Sequence, residues 1–128
     1  MAVEGIGDLV AGPIDIVGDV HGEIDALDEL VARLGYDGDG RHPGGRRLVF
    51  VGDLVDRGPR TPDVLRLVMG MVENGSALCV PGNHDVKFLR WLNGRNVKPT
   101  HGLDLSIAQM ENEPSEFRAE VKTSSTGL

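Results

Sequence analysis

Cysteine is almost missing from this 128-residue chain: Cys79 stands alone. A single thiol excludes an internal disulfide framework and fits a reducing compartment. It lies in the apolar run 77–80, which predicts a buried structural thiol rather than a reactive one. Aromatic residues are scarce too. Only Trp91, Tyr36, Phe50, Phe88 and Phe117 are present, so the core has to be built from Val, Leu and Ile. No apolar run approaches the roughly 18–20 residues needed to cross a bilayer. Glu4 and Asp8 stand where a secretory leader would carry positive charge. A cytoplasmic location is the expectation.

What is there describes a soluble globular chain. Hydrophobic residues make up 40% and charged ones 26%, which excludes a wholly disordered reading. The net charge of −7 is unevenly spread: −9 over residues 1–40, +5 over 41–98 and −3 over 99–128. The whole is not a nonspecific DNA binder. The basic middle either faces a phosphate or is a mixed solvated surface.

Periodicity gives the elements. Residues 14–17 form a short β-branched run that stops at Gly18. A helical pattern from 23 to 34 follows, ended by Gly35. Residues 36–46 form a loop, and 48–51 a second strand. Thr61 as cap and Pro62 at the first helical position open a second helix to about residue 73, closed by Asn74 and Gly75. Residues 77–80 give a third strand, and 85–92 a third helix. Leu103, Ile107 and Met110 suggest one further helix, and Phe117 and Val121 another. Apolar strands alternating with amphipathic helices predict a parallel sheet covered on both faces. Ligands of such sheets bind beyond the carboxyl ends of the strands.

All three strands end in glycine followed by polar residues. The clusters are Gly18-Asp19-Val20-His21-Gly22, Gly52-Asp53-Leu54-Val55-Asp56-Arg57-Gly58 and Gly82-Asn83-His84-Asp85. They should share one rim. Carboxylate, imidazole and amide donors without thiolate suit Mn²⁺, Fe, Zn²⁺ or Mg²⁺. Asp19 and His21, two apart, point the same way in an extended segment. Each cluster alone reads as an ordinary turn; the three together are a specific pattern. His42 and His101 read as structural or surface histidines, and Phe88 and Trp91 as core. An ion pair between Asp56 and Arg57 is the bland alternative for those two residues. A dinucleotide-binding βαβ unit is disfavoured because no G-x-G-x-x-G follows the first strand.

These clusters resemble the first three signature blocks of the calcineurin-like metallophosphoesterases. Within that family, residues 13–122 are similar to the phosphatase domain of bacterial polynucleotide kinase-phosphatase and to the related bis(5′-nucleosyl)-tetraphosphatase. The 47–59 and 77–85 blocks carry this, with Gly94-Arg95-Asn96-Val97 and Thr100-His101-Gly102-Leu103. The resemblance implies a hydrolase with two divalent metal ions, manganese first among Mn, Fe, Zn, Ni and Mg. Asp19 and His21 would hold one metal, Asp53 would bridge both, and Asn83 would hold the second. The pair would clamp a phosphate and activate a water for in-line attack. His84 would be the general acid, Asp56 its orienting partner, and Arg57 a phosphate clamp. Nucleotide or polynucleotide-end phosphates would be the substrates, with phosphoprotein or diadenosine tetraphosphate as alternatives inside the enzyme class.

The resemblance also implies a fold: the α/β, βαβαβα half of an α/β/β/α sandwich, with the second half and its histidines absent from this sequence. Residues 1–12 would be an N-terminal extension and 123–128 a frayed tail. A half-sandwich exposes the apolar face meant for the other sheet. The second metal would have only Asp53 and Asn83 and should bind weakly. The competing class is a non-catalytic fragment or split-protein half that binds metal, phosphate or a chain supplying the missing half.

Overall fold

The computed structural model describes residues 12–124. The expected N-terminal extension, all but Gly12, and the last four residues of the expected tail lie outside the described residues. Strands β1 (Ile14–Val17), β2 (Arg47–Val51) and β3 (Ala77–Val80) form a parallel sheet in the order β1-β2-β3. Ile14 pairs with Arg47 and Val17 with Phe50; Leu48 pairs with Ala77 and Val51 with Val80. Helices α1 (Ile24–Arg33), α2 (Thr61–Glu73), α3 (Asn83–Leu92), α4 (Leu103–Glu111) and α5 (Ser115–Thr123) complete the described chain. The architecture is mixed α/β.

Side chains alternate across a strand, so each strand offers two faces. Val17, Leu48, Phe50, Ala77 and Cys79 point to one face and are all buried. Every helix turns its apolar stripe to that side. Ile24, Leu27 and Val31 of α1 join Val64, Leu65 and Val68 of α2, Phe88 of α3, Leu103 and Met110 of α4, and Phe117 and Val121 of α5 in one core. Cys79 is buried there as expected, and burial pushes its thiol up to about 12.

The other face corrects the expectation of a sheet covered on both sides. Ile16, Val51 and Val80 are 65%, 47% and 42% exposed. Ile14 and Leu78 are half-buried beside them, and Val49 is shielded by its neighbours in the central strand. The residues read as buried-strand residues because they are apolar on both faces. Among the described residues, nothing lies over one of those faces.

Beyond one-residue differences in the first helix and second strand, three element ends differ from expectation. Helix α3 begins at Asn83, two residues early, because Asp85 at its third position reaches back to the Gly82 N–H and caps it. Thr61 is not a side-chain cap: it is already helical, and its hydroxyl is shared with Ser106 of α4. Thr123, placed in the frayed tail, ends α5, and its hydroxyl donates to the Ala119 carbonyl.

Candidate active site

The backbone beyond the strands brings the three polar clusters together. The Asp19 N–H donates to the Gly52 carbonyl (3.3 Å), His21 to Asp53 (2.9 Å) and Gly22 to Leu54 (2.8 Å). These bonds carry the β1–β2 pairing on into the loops. Asp85 then ties the second loop to the third. Its carboxylate accepts from the amides of Asp53 (2.7 Å), Leu54 (2.9 Å) and Gly82 (2.9 Å). Burial raises the Asp85 carboxyl above its ordinary range, while those three amides pull it back toward the charged form. In the sequence Asp85 stands in the third polar cluster of the rim. It faces inward instead and holds the loops in place.

Two glycines are required by this crowding. A Cβ on Gly58 would run into the His21 carbonyl, and one on Gly82 would meet Asp53 Oδ1 at 2.5 Å. Strain is stored at the same place. Asp19, His21, Asp53, Asp56 and Arg57 all have positive φ, between 45° and 73°. Each such non-glycine residue costs about 1 kcal/mol or more. All five lie in the first two clusters; His101 is the sixth described residue of this kind.

The strained backbone gathers donor atoms. One ligand-capable atom from each of Asp19, His21 and Asp53 lies within 4.8 Å of the others. His21 Nδ1 faces the Val55 carbonyl at 2.9 Å. A carbonyl only accepts, so Nδ1 carries the hydrogen and Nε2 is left with its lone pair, 4.0 Å from Asp19 Oδ1. Such a fixed tautomer is what a ligating histidine needs. Asp53 Oδ1 accepts from the His84 N–H at 3.1 Å, which sets that carboxylate against the first turn of α3. Asn83, exposed, is the first residue of that turn.

Beside this cluster stands a second unit. His84 Nδ1 donates to Asp56 Oδ2 at 2.8 Å, and the Asp56 side chain is only 1% exposed. The His84 ring meets the His21 ring edge-on, with centroids 4.9 Å apart. Asp56 Oδ1 is buried with no hydrogen-bond partner. Among the described residues, His84 is thus the one side chain that this buried carboxylate engages. The alternative Asp56–Arg57 pair is not formed. Arg57 is exposed, makes no ion pair with a described acid, and gives its N–H to the Gly102 carbonyl at 3.3 Å.

Sequence reasoning did not find what supports Asp56. Ser106 Oγ accepts from the Asp56 N–H (2.9 Å) and meets Thr61 Oγ1 at 3.1 Å. The Gln109 carboxamide spans the same loop. Its oxygen accepts from the Thr61 N–H (2.6 Å), and its nitrogen donates to the Gly58 carbonyl (2.9 Å). Helix α4 thus grips residues 56–61. The partners are about fifty positions apart in sequence, so no local pattern announces them. His42 is structural as expected. Its ring takes the Gly44 N–H on Nδ1 and meets the Leu34 carbonyl with Nε2.

Known proteins resemble this chain in sequence and in fold. Residues 12–121 match the calcineurin-like phosphoesterase family. The chain is 49% identical over 110 residues to a bis(5′-nucleosyl)-tetraphosphatase of Halalkalibacterium halodurans, covering 84% of this chain and 45% of the relative. It is 46% identical over 100 residues to the Bacillus subtilis protein of the same name, covering 76% of this chain and 41% of the relative. The chain therefore spans a little under half the length of the curated relatives it matches. A solved structure of a candidate diadenosine tetraphosphatase superposes with a TM-score of 0.62 at 30% identity, covering 90% of this chain and 44% of the other. A cold-active protein-tyrosine phosphatase from Shewanella superposes at 0.58 with 22% identity, covering 83% of this chain and 34% of the other, a likeness of fold alone. With the signature clusters converging on one rim and the match running through nearly all of the described residues, the chain belongs to the calcineurin-like phosphoesterase family.

Proposed function

We propose that this chain carries the phosphate-attacking half of a metal-dependent phosphoesterase that acts on nucleotide-type phosphates. One observation carries the reading: a three-donor cluster of Asp19, His21 and Asp53 stands directly beside a buried-carboxylate-supported imidazole, His84 on Asp56. The donor set fits hard or borderline divalent cations, with manganese our first choice. Asp19, His21 and Asp53 would hold one ion, and Asp53 with Asn83 a second, weaker one, since only those two residues of this chain are assigned to it. When bound, the metals supply charge neutralisation at the phosphoryl oxygens and a nucleophile at neutral pH.

The chain's own residues do the rest. Asp56 takes the Nδ1 hydrogen of His84, so Nε2 is the atom that presents a proton to the leaving oxygen. Arg57, unpaired on the rim, offers its planar fork to the remaining phosphate oxygens. The Ser106 and Gln109 bonds keep the 56–61 loop in its strained form. The relatives' names favour a nucleoside polyphosphate over a phosphoprotein. A polynucleotide end remains within the same reading. No helix among the described residues is long and apolar enough to cross a membrane. The lone, buried Cys79 supports a cytoplasmic site of action.

A second reading is favoured by the bare sheet face: a non-catalytic half that binds metal or phosphate and joins a chain covering that face. Turnover of p-nitrophenyl phosphate with Mn²⁺ separates the two. The enzyme reading expects activity that Asp53→Ala lowers at least about 100-fold. Equal rates in both proteins, or none with any divalent ion, sink it. A melting temperature that Mn²⁺ raises in the parent but not in Asp53→Ala tests the metal site independently of activity.

A further inference from the structure

A strip of cations leaves the candidate site along helix α3, and no acid answers it. Asn83, Lys87 and Arg90 fall at spacings of four and three, so they form one stripe of the helix about 10 Å long. A small cleft lined by Asn83, His84, Lys87, Thr100 and His101 opens into a larger one of about 490 Å³. The larger cleft shares Asn83, Lys87 and Thr100 and adds Arg90 and Lys98. Lys87 Nζ donates to Thr100 Oγ1 at 2.8 Å, which pins the far wall to the helix. The groove thus begins at the His84 imidazole and runs outward.

What sets the strip apart is clustering, since Arg41, Arg47, Arg57 and Arg118 also lack an ion pair with a described carboxylate. Arg33, Arg46, Arg60 and Arg66 are each ion-paired to a described carboxylate. Lys87, Arg90 and Lys98 are not, and neither is Arg95 just beyond. The sole acid between residues 83 and 102 is Asp85, which is buried and spent on backbone amides. On a chain of net charge −7, an uncompensated cationic strip abutting the site calls for an anionic occupant. A second cationic cleft, of about 390 Å³, lies at the opposite ends of β2 and β3. There Arg46 is bound to Asp15 and the His42 ring is engaged by backbone, so it is the weaker candidate.

We infer that the α3 groove binds the phosphates of a short polyphosphate chain that lie beyond the phosphate presented to His84. It thereby makes extended nucleoside polyphosphates, rather than lone monoesters, the preferred substrates. This rests on the hydrolase reading for what sits at His84; the anion site itself does not. A nucleic-acid strand fits less well. No Phe, Tyr or Trp lines the groove to stack bases, and a long polyanion would also meet the acidic remainder of the chain.

Inorganic tripolyphosphate is the probe, titrated calorimetrically into the full chain in EDTA at low salt. Lys87→Gln/Arg90→Gln/Lys98→Gln should weaken binding by about tenfold, and added salt should weaken parental binding. Arg41→Gln/Arg47→Gln, at the other cleft, should leave it within about twofold. Circular dichroism verifies that both variants fold. Parental affinity in the triple variant, or an equal loss in the control, overturns the assignment. So does tighter binding of hexathymidylate than of tripolyphosphate, which would give the groove to a nucleic-acid strand. Because the titration needs neither metal nor turnover, a chain inert toward p-nitrophenyl phosphate can still bind tripolyphosphate through α3. That result would leave the anion site standing while removing the hydrolase reading.

Discussion

His84 owes its chemistry to a neighbour that water does not reach. Asp56 accepts the Nδ1 hydrogen, and its second oxygen has no other partner, so the ring is held with Nε2 turned away from the carboxylate. A general acid, the role proposed for His84, matters in proportion to how poor the leaving group is. His84→Asn should lower Mn²⁺-dependent hydrolysis of phenyl phosphate by about 100-fold. The effect on p-nitrophenyl phosphate should be much smaller, since p-nitrophenolate departs without a proton. Equal losses on both esters would reassign His84 to phosphate binding. At this scale the sequence was informative about which side chains the loops bring together, as with Asp19, His21 and Asp53. It was uninformative about direction. Asp85 sits one residue from His84 yet faces three backbone amides, because a helix turns neighbouring side chains about 100° apart.

Between elements, polar contacts fix what apolar packing leaves loose. Asp15 of β1 accepts from Tyr36 Oη (2.6 Å) and from Arg46 Nε and Nη2 (2.9 and 2.8 Å), joining the first strand to both ends of the 36–46 loop. The Arg46 and Tyr36 hydrogen bonds lower the Asp15 carboxyl from 3.8 to about 2. Burial, and then the Asp15 bond, raises the Tyr36 phenol from 10.0 to about 12. A depressed acid stabilises the fold above its unfolded pKa and loses that contribution as pH falls through the folded value; a raised phenol stabilises below its unfolded pKa and loses it as pH rises. The melting-temperature gap between the parent and Asp15→Asn should therefore be flat from about pH 5 to 9 and close below about pH 4. The gap for Tyr36→Phe should close above about pH 10. A gap for Asp15→Asn that persists at pH 2 would show that the stabilisation does not come from the ionised carboxylate. The elements themselves were legible because each strand is a short, mostly apolar run closed by glycine or Pro-Gly and each helix keeps its apolar residues three and four apart. Thr61 misled because a Thr-Pro pair reads as a cap from sequence alone, while Ser106 and Gln109, some 45 residues later, claim both its hydroxyl and its amide.

For the molecule as a whole, the sheet decides the outcome. Parallel sheets are ordinarily buried on both faces, and here the helices cover the face of Phe50 and Leu48 while Ile16, Val51 and Val80 stand open. The register puts Val51 beside Val80 and Ile16 beside Val49, so these side chains form one continuous patch rather than scattered exposures. A patch of that kind favours dye binding and self-association. The parent should enhance the fluorescence of 8-anilinonaphthalene-1-sulfonate and sediment faster than a monomer. Replacing Ile16, Val51 and Val80 with Thr keeps β-branching and strand preference while removing apolar surface. The dye signal should fall by about half or more, with a shift toward monomer. The melting temperature should change little, because the three side chains touch solvent and not the helical core. Unchanged dye binding and sedimentation in the triple variant would mean that this face neither takes up the dye nor joins the copies. The half-sandwich account of this fold, and with it the non-catalytic reading that needs a partner there, would then have to be given up, while the rim of Asp19, His21, Asp53 and His84 would be untouched, because it is built from the loops beyond the strands.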